Sequence, residues 1–289
     1  MRTEHLTGPA APELRHLLRA AGERLGTSLR LDAEVLLAHV LGRPRSALIA
    51  NDAQRIEPAD AARFQALVER RAAGEPVAYL TGEREFWSLP LAVNPAVLIP
   101  RPETELLVER SLALVPESPS GPDALRVLDL GTGSGAIALA LAAARPHWAL
   151  TATDRSAEAL AVARANARRL ELTRVEFLLG SWFEPLPGRR FDLVCSNPPY
   201  VAADDAALAA LRFEPVAALT PGRSGLEALE HLIARAPAHL ARGGWLVLEH
   251  GSAQGPAVTA ALVAAGYARV RCHRDLAGLD RVTEAQWEI

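Results

Sequence analysis

The segment Val127-Leu128-Asp129-Leu130-Gly131-Thr132-Gly133-Ser134-Gly135-Ala136-Ile137-Ala138 decides how the chain is read. Its first four residues belong to a short apolar run of the kind buried inside a parallel sheet, and the alanine- and leucine-rich stretch over 136–144 has the composition of a helix. Between them the glycines permit a tight turn and a close backbone approach to a ligand, while the helix start offers unpaired N–H groups. Taken alone, the motif also fits a turn that only packs helix on strand.

Working outward toward the carboxyl end, strands and helices alternate. Strands are expected over 126–130, 149–153, 175–179, 191–196 and 245–249, with 267–272 and 281–287 closing the chain. Helices are expected over 156–170, capped by Ser156, then over 226–240 and 256–265. This alternation predicts a doubly wound α/β sheet with an antiparallel edge. Toward the amino end, Leu14, Leu17, Leu18 and Leu25, then Val35, Leu36, Val40 and Leu41, then Phe64, Leu67 and Val68 recur at helical spacing, predicting a small helical bundle. Between Tyr79 and Ile99 the period shortens and prolines intervene, which predicts a hairpin-like connector. Thr104 is expected to N-cap a helix over 105–115, and residues 116–122 form a proline- and serine-rich loop. The expected domains are therefore a helical part over 1–75, a hairpin connector over 76–100, and an α/β domain over 101–289.

Composition narrows the function classes. The chain of 289 residues is 49% hydrophobic and 22% charged, so it has the balance of a globular protein rather than a disordered polyelectrolyte. Its net charge of −3 lacks the basic excess of a protein that holds many phosphates by charge, so stable nucleic-acid binding is not expected. All 31 basic residues are arginine, which excludes a lysine nucleophile or Schiff base. Cys195 and Cys272 form no CxxC pattern and the eight histidines no paired spacing, so neither a disulfide framework nor a metal is expected. The start of the chain lacks the apolar core of a secretory signal, and the run over 136–144 is too short to span a bilayer, so a cytoplasmic location without membrane insertion is expected.

Asp154 closes the strand after the glycine loop, where its carboxylate can accept the two hydroxyls of a ribose or cap the following helix. Loop and aspartate together indicate a nucleoside cofactor without choosing it: Gly131, Gly133 and Ala136 also satisfy the dinucleotide pattern, so a nicotinamide cofactor and S-adenosylmethionine both remain open. Asn197-Pro198-Pro199-Tyr200, at the end of the strand over 191–196, is more selective. Asn197 offers an amide acceptor and donor to a substrate amide or to the amino edge of a base. The prolines stiffen the turn and leave backbone carbonyls free to accept a second N–H, and Tyr200 can supply a flat wall.

These segments, with Tyr79–Trp87, Ile99–Glu105, Ser181-Trp182-Phe183, Phe213-Glu214-Pro215, Leu248-Glu249-His250-Gly251 and Asp280-Arg281-Val282-Thr283, resemble the bacterial release factor glutamine methyltransferase family, also called protein-(glutamine-N5) methyltransferase. The resemblance implies a Rossmann-like S-adenosylmethionine-dependent methyltransferase domain, with S-adenosyl-L-homocysteine as product and class I peptide-chain release factors as protein substrates. It implies that Gly131, Thr132, Gly133, Ser134 and Gly135 hold the methionine portion of the cofactor, Asp154 the ribose, and Trp182 the adenine. Asn197, Pro198, Pro199 and Tyr200 would receive the glutamine side chain of a Gly-Gly-Gln loop, with Asn197, Pro198 and Tyr200 as the catalytic set and Asn197 also bordering the cofactor. Ser181 stands where many relatives have an acidic residue, so no carboxylate contact to the adenine is carried over there. Leu98 is read as core in preference to an apolar wall of the glutamine pocket, and Glu249 and His250 as a strand-end turn in preference to a general base. An amino methyltransferase acting on adenine or cytosine is the rival reading, since it uses the same chemistry on an exocyclic NH₂.

Overall fold

The computed structural model describes residues 11–26, 29–50, 52–115 and 124–288. The loop expected over 116–122 and the start of the chain up to residue 10 lie outside them. The chain divides into two compact units, Met1–Gly82 and Glu83–Ile289.

The first unit is helical: α1 Leu14–Leu25, α2 Arg30–Leu41, α3 Arg45–Ala50, α4 Pro58–Ala72 and α5 Val77–Thr81. Leu14, Leu17 and Ala21 of α1, Leu36 and Leu37 of α2, Phe64 and Val68 of α4, and Leu80 of α5 share one buried cluster. The i, i+3 and i+4 repeats visible in the sequence are therefore the faces that pack. The expected boundary at residue 75 differs from the observed division. Residues 77–81, read as the start of an extended connector, form α5 because Pro76 precedes its first turn and Leu80 finds the helical core.

In the second unit, β1 Glu83–Phe86 and β2 Leu89–Ala92 form an antiparallel hairpin, followed by α6 Glu105–Leu114. The main sheet comprises β3 Arg126–Leu130, β4 Ala149–Asp154, β5 Glu176–Leu179, β6 Phe191–Ser196, β7 Leu240–Glu249, β8 Ala268–Arg274 and β9 Asp280–Trp287, in the order β5-β4-β3-β6-β7-β9-β8. Pairs from β5 through β7 are parallel, and β9 pairs antiparallel with both β7 and β8. The helices are α7 Ala136–Ala144, α8 Ala157–Arg169, α9 Ala207–Ala210, α10 Val216–Leu219, α11 Glu227–Arg235 and α12 Gly255–Ala264.

Alternate residues of β3 enter different cores. Val127 joins Leu107, Ile137 and Leu141, whereas Leu128 joins Phe191, Leu229 and Leu262. A strand buried on both faces reads as a continuous apolar run, which is why period-2 alternation is absent from the segment.

Two expectations fail here for local reasons. The helix expected over 226–240 ends at Arg235, because Pro237 lies in the short 3₁₀ turn Ala236–Ala238 and Leu240 opens β7. Thr104 does not cap α6: it closes the 3₁₀ turn Pro102–Thr104 in helical geometry, and its buried hydroxyl goes elsewhere. Ser156 does cap α8, accepting from the Ala159 N–H at 3.1 Å.

Candidate active site

Three parallel strands of the sheet end side by side. Leu130 lies opposite Thr153 on β4 and opposite Ser196 on β6, so the residues that follow are Gly131, Asp154 and Asn197. Strand order reverses at β3, the location where doubly wound sheets bind ligands. On the far side of β6, Ser196 pairs with Leu248, which brings Glu249 up beside Asn197.

A cleft of about 570 Å³ opens at these tips. Gly131, Gly133, Asp154, Trp182, Asn197 and Pro199 line it, together with Leu98, Ser181 and the segment around α10. Gly131 has φ +72°, and a Cβ there would stand 3.3 Å from the Trp182 ring, so glycine meets both a conformational and a spatial demand. The N–H groups of Gly131 and Thr132 donate to the Thr153 carbonyl at 2.9 and 3.0 Å, tying the loop to β4. Asp154 serves two structural ends while facing the cleft: Oδ2 accepts from the Gly133 N–H and Oδ1 from the Ser156 N–H, each at 2.9 Å.

The other expected cofactor residues do not line the cleft. Thr132 and Ser134 are buried; Thr132 donates its hydroxyl to Asp129 at 2.7 Å, and the Ser134 carbonyl accepts from Asn166 at 2.9 Å. Gly135 precedes α7, where a Cβ would meet Leu139 of that helix at 3.0 Å and Ala163 of α8 at 3.3 Å, so its place is the contact between helices. Asp129 is wholly buried beneath the loop, and that burial lifts its pKa from 3.8 to about 7, against the hydrogen bonds from Thr132 and Ala138 and with a smaller push from Asp154.

Within the turn after β6, Asn197 and Pro199 line the cleft and Pro198 is buried. Asn197 spends one of its two Nδ2–H bonds on Thr104 Oγ1 at 3.1 Å. Tyr200 donates its hydroxyl to Glu249 Oε1 at 3.2 Å, and burial, then the Glu249 charge, pushes its own pKa upward. Gln254 Nε2 donates to the Tyr200 carbonyl at 3.1 Å and to the Gly225 carbonyl at 3.2 Å, fastening the turn from behind. A Cβ at Gly225 would come within 2.5 Å of the Tyr200 oxygen.

Sequence reasoning missed several of these groups. Leu98, read from the sequence as core, is a partly exposed cleft wall, the alternative weighed for it. Glu249 ends β7, as the strand-end reading expected, but it is a wholly buried carboxyl whose pKa burial raises to about 7. Glu214 is buried too, accepts from the Ile99 N–H at 3.1 Å and pairs with Arg101, joining the segment around Leu98 to the one around α10. Only the strand order could have announced Glu249, since it ends the strand next to Asn197. Cys195 behaves as expected, a buried thiol with a pKa raised by desolvation. No helix among the described residues is long and apolar enough to cross a membrane.

Comparison with known proteins places this geometry. The profile of the PrmC N-terminal domain matches residues 13–82, and that of the Methyltransferase small domain matches residues 104–222. The release factor glutamine methyltransferase of Pseudomonas aeruginosa is 51% identical over 263 residues, covering 90% of this chain and 93% of the relative. That of Escherichia coli is 46% identical over 275 residues, covering 94% and 98%. Among solved structures, a methyltransferase from Pyrococcus furiosus has a TM-score of 0.53 at 19% identity over 78% of this chain and 98% of its own, a likeness of fold alone.

Proposed function

The chain belongs to the release factor glutamine methyltransferase family, and from that premise we propose which of its residues carry the reaction. It is an S-adenosylmethionine-dependent protein-(glutamine-N5) methyltransferase, and release factors are its protein substrates. When bound, S-adenosylmethionine supplies a sulfonium methyl to the glutamine side-chain nitrogen. The cleft suits that cofactor: the backbone at Gly131 and Gly133 is exposed in it, the Asp154 carboxylate stands at the tip of the next strand, and the Trp182 ring forms a wall.

Asn197 carries the reading. An amide nitrogen is a poor nucleophile because its lone pair is shared with the carbonyl, so both N–H bonds must be held while the lone pair faces the methyl. The Asn197 side-chain oxygen and the Pro198 carbonyl are the acceptors for those bonds. As positive charge grows on the substrate nitrogen, acceptors already aimed at it stabilise the transition state more than the ground state. Tyr200, held through Glu249 and Gln254, flanks the amide. Catalysis is thus positioning and electrostatics, with the released proton passing to solvent.

The Gly-Gly-Gln loop of class I factors offers few atoms to this site, so the helical unit is proposed to supply further contact with the factor. Action in the cytoplasm and no stable nucleic-acid complex belong to the same reading, the latter supported by the net charge of −3. Labelled S-adenosylmethionine incubated with the protein and, in parallel, a bacterial release factor, DNA and RNA tests it. Methyl should enter the factor at glutamine; incorporation into nucleic acid alone would overturn the substrate class.

A further inference from the structure

Two walls of the cleft that lie far apart in sequence meet at one buried carboxylate. Glu214, 5% exposed, accepts from the Ile99 N–H through Oε2 at 3.1 Å, and its Oε1 pairs with the Arg101 guanidinium. Leu98, immediately before Ile99, and Pro215, immediately after Glu214, both line the cleft. Each wall is thus one residue away from the clasp.

Both walls are pinned beyond it as well. Thr104 accepts from Asn197 at 3.1 Å, so the segment that carries Ile99 and Arg101 is tied to the turn after β6. Pro100 and Pro102 fix φ between those anchors, and the stiffness carries the position of one to the other. On the opposite segment, the Val201 N–H donates to the Leu219 carbonyl and the Ala203 N–H to the Gly222 carbonyl, each at 2.9 Å. The stretch 215–221 is therefore held at one end by Glu214 and at the other by the chain just past Tyr200. Stability alone is a weak reason for a buried ion pair, because the cost of desolvating it offsets much of its attraction. What this one supplies is geometry, since a carboxylate only accepts and its donors here sit on a single neighbouring segment.

We propose that Glu214, with Arg101, is a positioning residue that sets the spacing between Leu98 and Pro215, and that this spacing steadies the methylenes of the substrate glutamine while its nitrogen meets the methyl; this rests on the glutamine-N5 reading above. Asn197 and the Pro198 carbonyl take the amide end, and apolar walls are what the rest of the side chain requires. A reacting atom misplaced by about 1 Å can cost about 10²-fold in rate, so a loosened wall should be felt in turnover while cofactor binding is kept.

The test uses the full-length protein with Glu214→Ala, Glu214→Gln and Leu98→Ala, singly and combined, measuring methyl transfer to a bacterial release factor. Thermal melting and cofactor calorimetry serve as controls. Glu214→Ala should lower kcat about tenfold or more with cofactor Kd nearly unchanged. Glu214→Gln, which keeps an oxygen for the Ile99 N–H, should recover part of the rate. Leu98→Ala should also lower kcat, but it should add little in the Glu214→Ala background, where the wall it trims is already displaced. A residue that merely stabilises the fold would give effects that multiply. Hydrogen–deuterium exchange reads the clasp without turnover: segments 96–101 and 213–221 should gain exchange together in Glu214→Ala, with β3 unchanged.

A wild type that methylates the factor alongside an equally fast Glu214→Ala, or effects of Glu214→Ala and Leu98→Ala that multiply, overturns the positioning role and leaves the glutamine reading standing. A wild type that binds cofactor yet methylates no release factor overturns the glutamine reading, and exchange confined to one of the two segments then refutes the clasp too. Should Glu214→Ala fail to fold, the cycle is run with Glu214→Gln, and multiplying effects there refute the proposal.

Discussion

At the scale of single residues, the site separates groups that meet ligand from groups that hold them. Asn197→Ala should leave cofactor affinity intact in calorimetry but lower turnover by about 10²–10³, the usual loss for one transition-state hydrogen-bonding group. Near-normal turnover would remove Asn197 from the mechanism. Asp129 provides a stability counterpart. Its folded pKa of about 7 lies above the ordinary value of 3.8, so the native state binds the extra proton. Its contribution is therefore full below pH 3.8 and is lost as the pH rises through about 7. Asp129→Asn cannot ionise, and its stability relative to the wild type should improve by up to a few kcal/mol between about pH 4 and 7, and level off above, in urea titrations. A difference independent of pH would show that the carboxyl ionises as freely folded as unfolded.

Elements were legible where local pattern sufficed. The strands 126–130 and 191–196 and the helix 136–144 coincide with the observed bounds, because an apolar run followed by glycines or by Asn-Pro carries its own ends. The cap of α8 was readable too, and it yields a prediction: Ser156→Ala removes the bond to the Ala159 N–H and should lower stability by about 0.5–2 kcal/mol, seen as a reduced urea midpoint at constant slope. An unchanged midpoint would mean that Asp154 and water satisfy the helix start without the hydroxyl. What escaped reading was long-range. Thr104 looked like a cap because threonine before a helix often is one, yet its partner Asn197 lies 93 positions away. Glu249 read correctly as a strand end, yet nothing nearby in sequence announces that its strand pairs with β6 and buries the carboxyl. The hairpin turn at Trp87 and Ser88 takes φ of +53° and +60° without glycine, so its conformation was invisible to composition. Both turn N–H groups are held, by Glu105 Oε1 at 2.9 Å and Glu85 Oε1 at 2.6 Å, one of them well along the chain.

For the whole molecule, the division between Gly82 and Glu83 sets the cleanest test of domain roles. A fragment beginning at Glu83 should keep S-adenosylmethionine binding but methylate an intact release factor with a kcat/KM lower by about tenfold or more, while matching the full chain on a short Gly-Gly-Gln peptide. Equal efficiency on the intact factor would refute the recognition role of the helical unit. The floor of the cleft has a further consequence, one of lifetime. The Gly131 and Thr132 N–H groups both close on the Thr153 carbonyl, and the Gly180 N–H closes on that of Asp154, so the glycine loop is an extension of the sheet's own ladder. Those amides should exchange with deuterium as slowly as the centre of β3 and β4, in hours where surface turns take seconds, and heat should extinguish the loop and the core in a single step. The enzyme should therefore stay competent until it unfolds.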